Sequence, residues 1–235
     1  MNISPDGIVI WQFNAFTLNA TILFTWIVMA LLVVGSLLVT HRLSTETRFS
    51  HWQNLLEVLV TGIRDQIRDV SHQEPGRYLP FVGTLFIFVV VSNSLSIIPG
   101  YQPPTGSLST TTALAICVFI AVPLYGISEQ GGVNYLRHYI QPTVFMLPFN
   151  LIGEISRTIA LAVRLFGNIM SGTMIAAILL TITPLLFPVI MQALGLLIGI
   201  IQAYIFAILA MVYIASATSA YREKELKSEK TKGDS

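Results

Sequence analysis

The chain reads as an all-α polytopic membrane protein. The expected architecture is five transmembrane helices plus one amphipathic helix on the cytoplasmic membrane surface, with the last two long helices forming a strongly tilted hairpin. Three observations predict this. Of 235 residues, 54% are hydrophobic and only 11% are charged, with a mean hydropathy of +0.72, whereas soluble chains are roughly a quarter charged. Charges are absent from Tyr78 to Ser128 and again from Leu165 to Tyr221, and each run exceeds the ~20 residues that one span needs. The cations outside the spans all fall in alternate connections. A water-soluble enzyme and a protein held by a single anchor are both excluded. The net charge of +1 indicates no nucleic-acid partner. The lone Cys117 permits no internal disulfide and no cysteine metal cluster, and no cofactor is implied.

The first span covers about Leu18–Thr40. No Lys or Arg precedes it and it is too long for a signal's apolar core, so it is not a secretory signal. The second covers about Leu79–Ile98 and the third about Leu108–Ser128. The fourth and fifth, about Pro148–Leu180 and Pro188–Ala220, are separated at Thr181-Ile182-Thr183-Pro184, where proline cannot continue a helix. Before the second span, Trp52, Leu55, Leu56, Leu59, Ile63, Ile67 and Val70 recur at helical spacing opposite Gln53, Glu57, Thr61, Arg64, Asp65 and Arg68. This predicts the amphipathic surface helix over about 50–70; a soluble hairpin packed on loops is the alternative. The Lys/Glu-rich tail 222–235 reads as a solvated, frayed end. The whole chain, 1–235, forms one membrane domain.

Thirteen Lys and Arg set the orientation. Five follow span one (Arg42, Arg48, Arg64, Arg68, Arg77), one follows span three (Arg137), five lie in the tail, and two (Arg157, Arg164) lie in span four. The N-terminus and the loops 99–107 and 181–187 carry none. The positive-inside rule therefore puts the tail in the cytoplasm and the N-terminus outside.

Spans four and five, at ~1.5 Å rise per residue, are each about 50 Å long. The hydrocarbon layer is only ~30 Å thick, so straight helices of this length must incline strongly, unless kinks near Gly167, Gly172, Gly195 or Gly199 absorb part of the excess. Such helices suit a surface laid across another membrane object. Arg164 lies at the centre of span four. An arginine at mid-membrane costs at least ~2.5–3.5 kcal/mol and so faces a partner or water. Glu154 is about 15 Å away along the axis and pairs more naturally with Arg157 at i,i+3. The counter-charge of Arg164 is therefore expected from another subunit. Glu154, Arg157, Leu161, Arg164, Asn168 and Gly172 share one face of the helix. Gln192, Gly195, Gly199, Gln202, Phe206 and Tyr213 form a similar stripe on span five, where plain helix packing is an alternative for the glycines. Gln202 needs a buried partner, and Arg164 lies at a suitable depth.

The segment Leu161-Ala162-Val163-Arg164-Leu165-Phe166-Gly167-Asn168, followed by Ile201-Gln202-Ala203-Tyr204-Ile205-Phe206, resembles subunit a of F-type ATP synthases. Ile98 to Thr105 resembles that family's external loop, and Pro148-Phe149-Asn150 its approach to span four. The resemblance implies a non-catalytic stator subunit whose two inclined helices curve against a ring of c subunits, each carrying an ion-binding carboxylate. By the same resemblance, Arg164 attracts an ion-free carboxylate and separates two offset half-channels. Asn168 and Gln202 line the contact, Glu154 and Arg157 lie toward the cytoplasmic half-channel, and the surface helix meets the peripheral stalk b subunits. The implied setting is a bacterial plasma (inner) membrane.

Three positions depart from the family pattern. Thr173 stands where members often carry an external acid, Gly195 where some carry a histidine, and Ser107 where the loop commonly has an acid. All four histidines (His41, His51, His72, His138) fall in cytoplasmic connections. A proton relay uses titratable groups, whereas neutral oxygens suffice for a hard cation such as sodium. H+ and Na+ both stay open, and the pattern suggests a sodium-translocating, N-type form. A self-contained secondary transporter is the competing class, but the inverted repeats and matched broken helices it requires are not seen. An intramembrane hydrolase built on Ser128, Glu129 and His138 has no motif behind it.

Overall fold

A computed structural model describes residues 9–13, 16–40, 51–71, 74–98, 100–131, 146–183 and 187–233. Among the described residues, six α-helices follow one another: α1 (Ala20–Thr40), α2 (His51–Ser71), α3 (Leu79–Ser94), α4 (Leu108–Gln130), α5 (Met146–Ile182) and α6 (Phe187–Gly233). All except α2 contain a window long and apolar enough to cross a membrane. These windows coincide with the five expected spans, and the chain is a multi-pass membrane protein. A 3-10 turn, Pro75–Arg77, leads into α3, whose Pro80 sits in the first turn, where no helical N–H bond is lost. Gly131 closes α4 at φ 77°, its N–H bonding the Ile127 carbonyl at 2.9 Å; this left-handed backbone favours glycine. The Pro184 break and the connection bearing Arg137 and His138 lie outside the described residues.

Two features differ from the sequence expectation. A short antiparallel hairpin, β1 (Val9–Phe13) and β2 (Phe16–Asn19), precedes α1, with Phe13 opposite Phe16 and a bulge between Val9 and Trp11. Leu18 therefore belongs to a strand, and the first helix begins at Ala20. Strands of four and five residues give too short a pattern to separate from the leading edge of an apolar span. The tail is not frayed from 222 onward, because α6 runs on to Gly233. Its Lys, Glu and Leu are good helix formers, and extending an existing helix needs no new nucleus.

The five-helix body has two packed centres. The first joins Leu85 and Val89 of α3, Ala115 and Val118 of α4, Leu161, Ala162 and Leu165 of α5, and Ala203, Phe206 and Ala210 of α6. Alanines on α6 let these helices approach closely, the usual device where lipid offers no hydrophobic drive to association. The second centre includes Ile67 of α2, Tyr78, Val82 of α3, Ala121 of α4, and Met211 and Ile214 of α6. The later half of α2 therefore rests on protein rather than on lipid alone. Tyr204 of α6 fastens it there by donating its hydroxyl to Gln66 Oε1 at 2.7 Å.

The loop after α3 folds inward. Pro103, Pro104, Thr105, Gly106 and Ser107 are all buried, wedged among α1, α3, α4 and α5. A Cβ on Gly106 would come 3.3 Å from Ile169 Cγ2 of α5.

At the opposite end, Arg77 and Tyr78 clamp α3 to α4. Arg77 donates to Glu129 Oε1 at 3.0 Å and to Ser128 Oγ at 2.9 Å, and the Tyr78 hydroxyl donates to Glu129 Oε1 at 3.1 Å. Burial, reinforced by the Glu129 carboxylate, pushes the Tyr78 phenol up from 10.0 to about 12, against a lowering hydrogen bond from Thr218. The neutral phenol is the form the fold favours, so its contribution is complete below pH 10 and is lost as pH rises toward about 12. Tyr78→Phe keeps the ring and is expected to cost about 1 kcal/mol. It should also flatten the alkaline decline of the thermal midpoint, measured by melting the detergent-solubilised protein across that pH range.

Candidate functional site

Helix α5 is nearly bare within this chain. Only three of residues 148–182 are buried, against ten of residues 189–218 in α6. Its buried positions, Leu161, Ala162 and Leu165, form a narrow stripe against α4 and α6, and Arg164 stands at the edge of that stripe, exposed. Arg164 makes no hydrogen bond or ion pair with any of the described residues.

One turn further along the same face, Asn168 Nδ2 donates to Gln202 Oε1 at 2.7 Å. Gln202 is 3% exposed, and its own Nε2 finds no partner among the described residues. The partner of Gln202 is thus Asn168 rather than Arg164, because the guanidinium points off the α5–α6 seam while the shorter Asn168 amide turns into it. Toward the other end of α5, the Arg157 guanidinium lies 5.6 Å from the centre of the Tyr213 ring. Glu154 shares with Arg157, Thr158, Tyr213 and Ser216 a small cleft where α4, α5 and α6 meet. The spacing puts Glu154 and Arg157 together, and an aromatic face of α6 completes the set. Thr173 stays apart, exposed and bonded to its own Met170 carbonyl at 2.9 Å.

A third polar group lies between the inward loop and the start of α6. Asn93 of α3 is 2% exposed; its Nδ2 donates to the Gly199 carbonyl at 3.0 Å, and its Oδ1 accepts the Thr105 hydroxyl at 2.6 Å. Gln192 of α6 donates to the Ser96 carbonyl at 3.1 Å. Nearby in the chain, Ser92 Oγ, Tyr101 Oη and Gln102 Oε1 are buried without a partner among the described residues, and burial raises the Tyr101 phenol. Ser107, at an expected acid position, is buried with its hydroxyl 2.6 Å from that of Ser109.

The sequence profile of the "ATP synthase A chain" family matches residues 22–215, from α1 through the Arg164 face to the Tyr213 turn of α6. The chain belongs to the ATP synthase A chain family. It is 65% identical over 218 residues to "ATP synthase subunit a 2" of Acaryochloris marina (strain MBIC 11017), covering 93% of each chain. It is 60% identical over 230 residues to "ATP synthase subunit a" of Albidiferax ferrireducens (strain ATCC BAA-621 / DSM 15236 / T118), covering 98% of this chain and all of the relative. A third relative, "ATP synthase subunit a" of Nitrosospira multiformis (strain ATCC 25196 / NCIMB 11849 / C 71), is 60% identical over 219 residues, with 93% and 87% covered.

In this ATP synthase A chain, Asn168, Gln202 and Tyr213 come from the two stripes drawn in the sequence, whereas the Asn93–Thr105 pair was not singled out there. A signal for Asn93 was present: Ser92-Asn93-Ser94 interrupts an otherwise apolar span with three polar side chains. A side chain without charge does not register in a charge map. Of the glycines on the two stripes, Gly199 is in tight contact within the chain, whereas a Cβ at Gly172 or Gly195 would meet nothing within 4 Å. Those two leave open space.

Proposed function

We propose that this chain is the ion-translocating stator subunit of a rotary ATP synthase, working against a ring of c subunits and held by the peripheral stalk b subunits. The observation that carries this reading is Arg164, a permanent cation that lies midway along an uncovered helix face with no anion paired to it among the described residues. Ring carboxylates supply that anion in turn. When an ion-free carboxylate arrives, it pairs with Arg164. When the ring advances, the pair separates and the carboxylate takes an ion from one half-channel, while the next carboxylate gives up its ion to the other half-channel and replaces it. The fixed positive charge repels any ion moving directly between the half-channels, so flow and rotation are coupled.

Glu154, Arg157 and Tyr213 line the cytoplasmic path in this reading. Ser92, Asn93, Thr105 and Gln102 supply neutral oxygens on the outer path. The N-terminal hairpin faces outward and the extension of α6 reaches into the cytoplasm, as the cation distribution directs, in a bacterial plasma membrane. Neutral oxygens on the outer path, with Thr173, Gly195 and Ser107 in place of titratable groups, favour sodium as the transported ion.

Purification in mild detergent tests the assembly: a c ring and a catalytic head should accompany this subunit, and isolation of the chain alone as a working transporter would reject the reading. ATP hydrolysis by the purified complex, with and without sodium, tests the ion. Sodium should stimulate turnover and protect the ring from carboxylate-modifying reagents; if neither responds, the ion is the proton.

A further inference from the structure

We propose that Asn93 is a positioning residue that fixes the rotation and height of α6, and so turns Gln202 toward Asn168 beside Arg164. The inference rests on the coupling role assigned to that arginine. A long apolar helix such as α6 has little to fix its register, because sliding or turning exchanges one aliphatic contact for another. Directional bonds are needed to hold it.

Asn93 supplies one from the neighbouring helix. Its amide grips the Gly199 carbonyl at 3.0 Å, and a Cβ on residue 199 would come 3.0 Å from Asn93 Cβ and 3.2 Å from Nδ2. The grip therefore requires glycine at this position, and it explains why Gly199 is buried against α3 while the other stripe glycines are not. Asn93 is itself held from behind, since the buried Thr105 hydroxyl fixes its Oδ1 at 2.6 Å. The Gly199 carbonyl can only accept, so it settles which end of the Asn93 amide faces α6. Thr105 belongs to the inward loop, which is wedged against α5 through Gly106 and Ile169. The loop thus links α5 to α3, and Asn93 links α3 to α6. Gln202 lies three residues beyond Gly199, close to one turn along the same helix, so a rotation of α6 at Gly199 carries the Gln202 side chain with it. The outer loop thereby reaches the Arg164 environment through two hydrogen bonds and one turn of helix.

The test uses the complete complex in a Cys117→Ser background. Asn168→Cys and Gln202→Cys are joined with a short bifunctional thiol reagent, which reports the approach of α5 and α6 without relying on activity. Adding Asn93→Leu, which removes both bonds at similar volume, should lower the cross-linking yield severalfold while the subunit still accumulates in the membrane. Gly199→Ala, which forces the helices apart by another route, should do the same. Without the cysteines, Asn93→Leu should slow coupled ATP synthesis about tenfold or more, the scale of a misplacement near 1 Å, and Thr105→Val less. If Asn93→Leu does not accumulate, Asn93→Ser, too short to reach the carbonyl, takes its place. Unchanged cross-linking in accumulating variants overturns the proposal. Lost cross-linking together with full coupling in Arg164→Ala would instead retain the positioning role and reject the coupling role of the arginine.

Discussion

Arg164→Ala is expected to abolish ATP synthesis driven by an ion gradient, lowering it by a factor on the order of 10² or more, the scale on which a pre-organised charge partner is lost. The side chain has no partner among the described residues and projects from a helix that the rest of the subunit scarcely covers, so its removal should leave the fold in place. Folding should even become slightly easier, since a mid-membrane cation costs ~2.5–3.5 kcal/mol or more in the absence of its partner. The loss should therefore appear as uncoupling: normal amounts of subunit in the membrane, ATP hydrolysis by the head no longer linked to ion pumping, and no synthesis. Arg164→Lys should fail nearly as badly. A lysine is a strongly hydrated point charge that loses its proton readily when buried, whereas the guanidinium stays charged and can bind a carboxylate through two parallel bonds. Gradient-driven synthesis and hydrolysis-driven pumping in inverted membrane vesicles measure both effects, and retained coupling in Arg164→Ala removes the proposed role.

Gln202→Leu is expected to reduce coupled synthesis about ten- to a hundredfold, again without loss of assembly. Leucine is similar in size but offers nothing to the Asn168 amide, whose N–H Gln202 now accepts at 2.7 Å. Freed from the seam, Asn168 can compete for the carboxylates that Arg164 must bind. Asn168→Ala should reproduce much of the defect, and the double variant should be little worse than either single one, with a coupling energy of roughly 0.5–3 kcal/mol in a double-mutant cycle. Strictly additive effects would mean that the two amides act separately.

The parts of this molecule that could be read from its sequence are those encoded along one dimension. Five apolar windows, an arginine at the middle of the fourth and the distribution of Lys and Arg need no knowledge of which helix lies beside which. The partner of Gln202 required such knowledge: depth alone made Arg164 a candidate, and the direction in which each side chain leaves the helix decided for Asn168. The Asn93–Gly199 bond joins residues 106 positions apart, and the Tyr204–Gln66 bond residues 138 apart, separations at which no periodicity carries information. The amphipathic pattern of α2 was read correctly as a helix with one apolar face, but a pattern of this kind does not distinguish lipid from Met211 and Ile214 as the surface beneath it. The hairpin before α1 was hidden for a different reason, since its strands are shorter than any window that tests for alternation.

The bare face of α5 bears on how the cell must handle this polypeptide. Until its neighbour arrives, each newly inserted copy displays an unshielded cation and a broad unsealed flank to the bilayer, a state that quality-control proteases of the membrane are suited to remove. Surplus copies should therefore be short-lived, and under the proposed assembly production is matched to that of the ring rather than running ahead of it.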